Sequence, residues 1–277
     1  MKVVKTIAEF RKLRQQLPEP VGFVPTMGYL HEGHLSLVRY ARAENSSVVA
    51  SIFVNPTQFG PREDFKAYPH DTERDLSMLE KEKTDVVFMP EAAEMYPEGS
   101  STWIDVEKVT ERLEGASRPG HFRGVTTVVA KLFNIAEPNA AYFGQKDAQQ
   151  AIVIRKMAVD LNMNLKVVTL PTVREPDGLA MSSRNTYLNP EQRQAATVLY
   201  RALVLTQQLY NNGKKDAEKI RQEMLALLRQ EPLANVDYVS IADNETLEEL
   251  DRVKIPALVS MAVKIGTTRL IDNIALE

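Results

Sequence analysis

Val24-Pro25-Thr26-Met27-Gly28-Tyr29-Leu30-His31-Glu32-Gly33-His34 joins the end of an apolar strand to the start of a helix. Pro25 and Gly28 interrupt the extended run that begins at Val21, because proline gives no N–H to a sheet ladder and glycine readily takes positive φ. A helical pattern opens near His31 and runs to Glu44. Strand, tight loop and helix form the entry to a βαβ unit, and the rest of the chain can be read outward from it.

The alternation continues through the first two-thirds of the sequence. Apolar runs at Val21 to Pro25, Val48 to Val54, Asp85 to Met89, Ala141 to Gly144 and Leu165 to Leu170 suit strands. Helical patterns at His31 to Glu44, His70 to Lys83, Arg123 to Ala136 and Asp147 to Asp160 lie between them. Crossovers of that length make neighbouring strands parallel. Ser47 to Val54 carries apolar residues on both faces, as a strand covered by helices above and below must. Asp71 and Asp147 are expected as helix caps. The expected class is α/β, a Rossmann-like doubly wound parallel sheet.

Pro171-Thr172-Val173-Arg174-Glu175-Pro176-Asp177-Gly178 concentrates turn formers and marks a boundary, so domains are expected at residues 1–175 and 176–277. Beyond it, Pro190 opens a helix in which Leu199, Leu203, Thr206 and Tyr210 share a face and which stops at Asn212-Gly213. A second helix aligns Ile220, Met224 and Leu227. Strand-like runs at Val236 to Ile241, Ala257 to Ile265 and Arg269 to Ala275 then complete a smaller C-terminal α+β domain.

Composition bounds the function. At about 150 residues per domain, 277 residues suffice for one large domain or two ordinary ones, and 44% hydrophobic with 26% charged side chains excludes disordered and fibrous chains. Basic residues number 34 and acidic 37, a formal charge of −3. That is too balanced to grip a nucleic-acid backbone or an anionic bilayer, so any polyanion bound is small. With no cysteine there is no disulfide frame, thiolate nucleophile or cysteine zinc site. Met1 to Phe10 mixes charge into its apolar residues, and no run approaches the roughly 18 apolar residues of a membrane span. An untargeted cytoplasmic protein is expected.

His31 and His34 are three residues apart, on one helical face about one turn from each other. At a helix N-terminus that face meets unpaired N–H groups and the positive dipole end, where both imidazoles can donate to bound phosphate oxygens. Gly33 between them leaves room for a flat ring or a sugar. On this segment alone a purely structural pair and a metal site stay open. The zinc-protease helix, however, spaces its histidines at i and i+4, and only His70 and His121 remain as further imidazoles.

Two more clusters carry chemistry. Ala141 to Gln150 reads as a strand ending in glycine with a helix opening directly after it. That places Lys146 and Asp147 at the carboxyl end of a strand, where open α/β sheets bind ligands. Lys146 can offer a point charge to phosphate, and Asp147 can cap the helix or accept from ribose hydroxyls. A solvated lysine beside an ordinary cap is the plain alternative. Gly178 to Asn185 supplies two hydroxyls and a guanidinium suited to phosphate oxygens, although such residues populate loops generally.

Strand, Pro-Thr-Met-Gly, His-x-Gly-His helix and a later Met-Ser-Ser-Arg loop, in that order, resemble the adenylyl-transferring superfamily that includes class I aminoacyl-tRNA synthetases. Within it the chain is more closely similar to the pantothenate synthetase (pantoate:β-alanine ligase) family. The matching segments are Val24 to His34, Ser51 to Gly60, Ala67 to Pro69, Arg118 to Phe122, Phe143 to Gln150, Thr172 to Asn185 and Gly266 to Asn273.

The resemblance implies an ATP-dependent condensation of pantoate with β-alanine through a pantoyl-adenylate, releasing pyrophosphate and then AMP. It assigns His31, His34, Lys146, Ser182, Ser183 and Arg184 to the ATP phosphates. Met27, Gly33, Gly144, Asp147, Val173 and Met181 fall to the nucleotide, and Asn55, Gln58 and Gln150 to pantoate. Arg118 and His121 are further substrate-binding candidates. Mg2+ is expected on the β- and γ-phosphates, mostly ligated by nucleotide and water, with Asp75 as a protein-side contact. The second domain is expected to act as a lid, and the resemblance implies a homodimer. One departure is instructive: the superfamily's second signature usually carries lysines, and Met181 to Arg184 has none. Arg184 must serve as the loop's cation while Lys146 acts from another strand. The pattern argues against a tRNA synthetase. A related nucleotidyltransferase acting on another small hydroxy acid, and a non-catalytic nucleotide-binding regulator, remain as alternatives.

Overall fold

A computed structural model describes every residue except Arg62. The chain divides into two compact units, Met1–Gln145 with Gln149–Pro171, and Thr172–Glu277 with Lys146–Ala148. The division falls at Pro171 rather than after residue 175, and the short stretch Lys146–Ala148 joins the second unit.

In chain order the first unit's strands and helices are β1 (Lys2–Val4), α1 (Ile7–Arg14), β2 (Val21–Thr26), α2 (Glu32–Glu44), β3 (Ser47–Ile52), α3 (Thr72–Lys81), β4 (Val86–Phe88), α4 (Ala92–Met95), α5 (Glu114–Ser117), α6 (His121–Ala136), β5 (Ala140–Gly144), α7 (Ala148–Asp160) and β6 (Lys166–Leu170). All six strands pair in parallel in the order β1-β4-β3-β2-β5-β6. β2 passes through Pro25, which lies opposite Ser51.

Strand alternation shows the double winding directly. Val24, Val48, Ala50, Val87, Ala140 and Tyr142 share one buried cluster with Leu37, Val38 and Ala41 of α2 and Leu79 of α3. Their sequence neighbours face the other side, where Phe10 of α1 meets Phe88 at 5.1 Å between ring centroids and Phe133 of α6 meets Phe143 at 6.4 Å. α6 is buried almost all round, from Phe122 to Ala136, so its hydrophobic run belongs to the core.

Asp71 caps α3, accepting from the Arg74 amide. Asp147 does not stand as a simple cap: Gln145–Asp147 forms a 3-10 turn ahead of α7, and Asp147 lies 3.5 Å from the Lys146 ammonium. β1 and α1 were not anticipated from the sequence.

The second unit contains α8 (Pro190–Ala195), α9 (Val198–Asn211), α10 (Ala217–Leu228) and the antiparallel strands β7 (Ala234–Asp243), β8 (Ala257–Ile265) and β9 (Thr268–Leu276), in the order β7-β8-β9. Leu199, Leu203, Ile220, Met224 and Leu228 pack on Ile241, Val259, Met261 and Val263. The expected single helix from Pro190 is broken at Ala196 and Thr197, where the amides of Thr197 and Leu199 bond three residues back. Arg174 forks onto Asp272 at 2.7 and 2.9 Å and stacks over the Tyr200 ring at 4.6 Å. This pair anchors the chain right after Pro171 and accounts for the earlier boundary. No helix among the described residues is long and apolar enough to cross a membrane.

Candidate active site

Strand order reverses between β2 and β5: β3 and β4 continue on one side of β2, and β5 and β6 on the other. At such a switch point successive crossovers leave in opposite directions, opening a crevice at the carboxyl ends of the strands. Thr26 and Gly144 end those two strands. The loop from Met27 to His31 is therefore delivered there by topology.

The loop is held from α3. Gly28 and Tyr29 take positive φ of 86° and 50°, and Asp75, only 1% exposed, accepts the Tyr29 amide on one carboxylate oxygen and the Leu30 amide on the other, both at 2.7 Å. Burial pushes the Asp75 carboxyl up, with the two amide bonds pulling against it. Arg74 donates to the Leu30 carbonyl at 2.9 Å and covers the Tyr29 ring. Asp75 is thus placed as a buckle on this loop, with both oxygens turned to main chain, rather than as an open metal contact.

His31 and His34 cap α2 reciprocally. His31 Nδ1 accepts from the Gly33 amide at 3.2 Å, and His34 Nδ1 accepts from the His31 amide at 3.3 Å. The rings lie 4.1 Å apart between centroids. Accepting at Nδ1 puts each neutral ring's proton on Nε2, beside the helix N-terminus. A side chain at Gly33 would bring its Cβ to 2.9 Å from the His31 ring, so glycine keeps that ring in place. Among the described residues no group of three or more His, Cys, Asp or Glu gathers as a metal site. The zinc reading of the histidine pair has no ligand set to support it.

Asn55 and Gln58 belong to a 3-10 turn, Pro56–Gln58, just past β3. The turn lies against α6 at Gly124, where any Cβ would come within 2.4 Å of the Thr57 carbonyl oxygen. Asn55, 1% exposed, donates to Gln58 Oε1 and to the Gly124 carbonyl, both at 3.1 Å, and Gln58 Nε2 reaches Met27 Sδ at 3.1 Å. Three candidates, Met27, Asn55 and Gln58, are thereby brought together.

Arg118 and His121 buttress the same turn. Arg118 forks onto Glu63 at 2.7 Å through both contacts and reaches His121 Nε2 at 3.1 Å, while His121 Nδ1–H donates to the Gln58 carbonyl at 2.8 Å. Their side chains are engaged with protein. Burial of Glu63 opposes its ionisation, but the Arg118 bonds outweigh it and hold the carboxyl below its ordinary range. Burial, then the Arg118 charge, pushes His121 down to about 4. Folded His121 thus stays neutral down to about pH 4, whereas the unfolded chain takes up a proton near 6.5. Stability is lost as pH falls through that window, by about 2 kcal/mol between pH 6.5 and 5. His121→Asn should flatten this dependence in urea titrations at the two pH values; an unchanged slope would remove the assignment.

The second unit holds the remaining phosphate candidates. Met181 N–H donates to the Val173 carbonyl at 3.0 Å, pairing those two nucleotide candidates across a hairpin bridged at Arg174 and Ala180. Ser182 Oγ accepts from the Arg184 amide at 3.3 Å and caps the turn Ser183–Tyr187, with Ser183 buried. The Lys146 main-chain carbonyl accepts from Asn273 Nδ2 at 2.8 Å. Asn273 is fixed in turn, its amide on Asp272 Oδ1 at 2.8 Å and its carbonyl accepting from Arg174 at 3.2 Å. Gly144 ends β5 and Gln150 lies half-buried in the first turn of α7, both in the first unit. Glu63, Tyr96 and Asn273 were not flagged by sequence; each acts on a partner dozens of residues away, which no local spacing signals.

Compared with known proteins, residues 2–275 match the family model described as pantoate-beta-alanine ligase. Pantothenate synthetase of Roseiflexus castenholzii is 62% identical over 277 residues, covering 100% of both chains. Its counterpart from Thermus thermophilus superposes with a TM-score of 0.95 at 50% identity, covering 99% of each chain. A Francisella tularensis pantoate-beta-alanine ligase complexed with beta-gamma ATP and beta-alanine matches with a TM-score of 0.82 at 35% identity, covering 99% of this chain and 97% of that one.

Proposed function

The chain belongs to the pantoate-beta-alanine ligase family and condenses pantoate with β-alanine using ATP, and from that premise we propose that it works through a pantoyl-adenylate. The observation that carries this reading is the reciprocal histidine cap at the N-terminus of α2. It sets two imidazoles protonated at Nε2 beside the positive end of a helix dipole, a setting suited to polyphosphate and ill-suited to a cation.

In the first half-reaction a pantoate carboxylate oxygen attacks the α-phosphorus of ATP and pyrophosphate leaves. The nucleophile is already an anion, so no general base is needed. The protein's task is alignment and neutralisation of charge moving onto the bridging and equatorial oxygens. We assign that task to His31, His34, Lys146, Ser182, Ser183 and Arg184, with Met27, Gly33, Gly144, Asp147, Val173 and Met181 around the nucleotide. Asn55, Gln58 and Gln150 would serve pantoate. In the second half-reaction the neutral amine of β-alanine attacks the acyl carbonyl and AMP departs, its charge met by the same cations. Given their bonds, Arg118 and His121 would act by shaping the Gln58 turn.

Mg2+ would arrive with the nucleotide. With no protein carboxylate cluster among the described residues to cage it, its ligands would be phosphate oxygens and water. A cytoplasmic homodimer is the assembly that this reading expects.

Pantoate-dependent exchange of labelled pyrophosphate into ATP, with magnesium present and β-alanine absent, tests the intermediate. Exchange is the expected result. Absence of exchange in folded protein that makes pantothenate would replace the adenylate with a concerted route. A hydroxy acid other than pantoate that supports faster exchange would move the substrate assignment.

A further inference from the structure

Asn55 is a substrate candidate whose own polar atoms are already committed inside the protein. Its Oδ1 accepts from Tyr96 Oη at 2.8 Å, from Thr57 Oγ1 at 2.9 Å and from the Thr57 amide at 3.4 Å. Its Nδ2 donates to the Gly124 carbonyl and to Gln58 Oε1. A main-chain amide can only donate and a main-chain carbonyl can only accept, so the two faces of the carboxamide cannot be exchanged.

We propose that Tyr96 is a positioning residue that, together with the Thr57 amide and the Gly124 carbonyl, holds Asn55 in the orientation and place from which it orders Gln58, so that Gln58 presents amide N–H rather than carbonyl oxygen to the carboxylate or hydroxyl of pantoate. Asn55 is the pivot: the main chain fixes which face is which, and the phenol, which also lies 3.2 Å from Thr57 Oγ1, makes the shortest bond that holds it there. Tyr96 gives its proton to Asn55 Oδ1, Asn55 gives one to Gln58 Oε1, and Gln58 is left with Nε2–H as its outward group. That group rests on Met27 Sδ, a weak acceptor that an anionic oxygen readily displaces. Burial raises the Tyr96 phenol above its ordinary value, which keeps it a donor throughout the neutral range. Its ring is held by Phe53 at 6.5 Å and by the Lys131 ammonium 5.7 Å from its centroid. Discrimination follows, because a ligand offering a donor at this point would face a donor and leave both unpaired.

The inference rests on Gln58 as a pantoate ligand, so both residues enter the test. Steady-state kinetics would be run on the full-length enzyme with pantoate varied at saturating ATP and β-alanine, then with ATP varied. Tyr96→Phe retains the ring and its contacts and removes only the hydroxyl. The expected result is a KM for pantoate raised about tenfold, with kcat and the KM for ATP within about twofold. Asn55→Asp sets an acceptor against two acceptors and should raise the KM for pantoate by about a hundredfold. Thermal midpoints measured alongside separate loosened structure, which would shift both KM values and kcat together, from lost polarity. If Gln58→Ala raises the KM for pantoate and Tyr96→Phe does not, the relay is overturned and the Gln58 assignment stands. If Gln58→Ala leaves that KM unchanged, both fall.

Discussion

Lys146→Ala should lower pantoate-dependent pyrophosphate exchange by about 10²–10³-fold while leaving the unfolding midpoint in urea and the KM for ATP nearly unchanged. One removed electrostatic donor to a developing anion is typically worth that much, about 3–4 kcal/mol of barrier. The effect falls on kcat because the charge it would meet grows during transfer of the adenylyl group. The fold should survive, since the Lys146 side chain lies outside the apolar clusters, its ion pair is with its sequence neighbour Asp147, and its main-chain carbonyl bond is one that alanine retains. Lys146→Arg should recover only part of the rate, a planar fork replacing a compact ammonium. A variant impaired mainly in its KM for ATP would assign Lys146 to ground-state binding instead.

Asp75→Ala carries the largest expected loss of stability. It strips the acceptors from two amides, the part-buried one of Tyr29 and the buried one of Leu30, in a loop where Tyr29 already holds a left-handed φ of 50°. Leaving two such donors unpaired should cost about 3 kcal/mol, a hundredfold or more in the folding constant. Exchange activity should fall at least tenfold even in the folded fraction, because the loop ends at His31. Asp75→Asn, which keeps one acceptor, should lie between. The magnesium concentration for half-maximal activity separates the two roles of Asp75. A buckle predicts no change, whereas a metal contact predicts a rise with stability intact.

The parallel sheet was legible because central strands and crossover helices impose strong periodicity. Ser47 to Ile52, buried on both faces, and the apolar face of α2 could hardly be read otherwise. β1 was hidden because its three residues, two exposed and one half-buried, are defined by pairing with β4, more than eighty positions away. The break between α8 and α9 contains no glycine or proline and so left no local mark. In the site, the histidine pair and the turn after β3 stood out by residue type and order. The commitment of Arg118 to Glu63 was invisible, because it depends on a carboxylate 55 residues earlier in the chain. Tyr96 gave no signal either, being one aromatic residue ahead of an ordinary loop.

The bond from Asn273 to the Lys146 carbonyl also sets an order in time. Its two ends are 127 residues apart in sequence, and Asn273 sits in β9. At about 5–20 residues per second a ribosome needs on the order of ten seconds to make the later partner after the earlier one. Until then the peptide bearing Lys146 lacks the strand that fixes it, so a nascent chain whose β2–α2 loop is already formed still cannot hold that carbonyl in place. Maturation of the lysine's setting is therefore a late event in synthesis, however early its own codon is read.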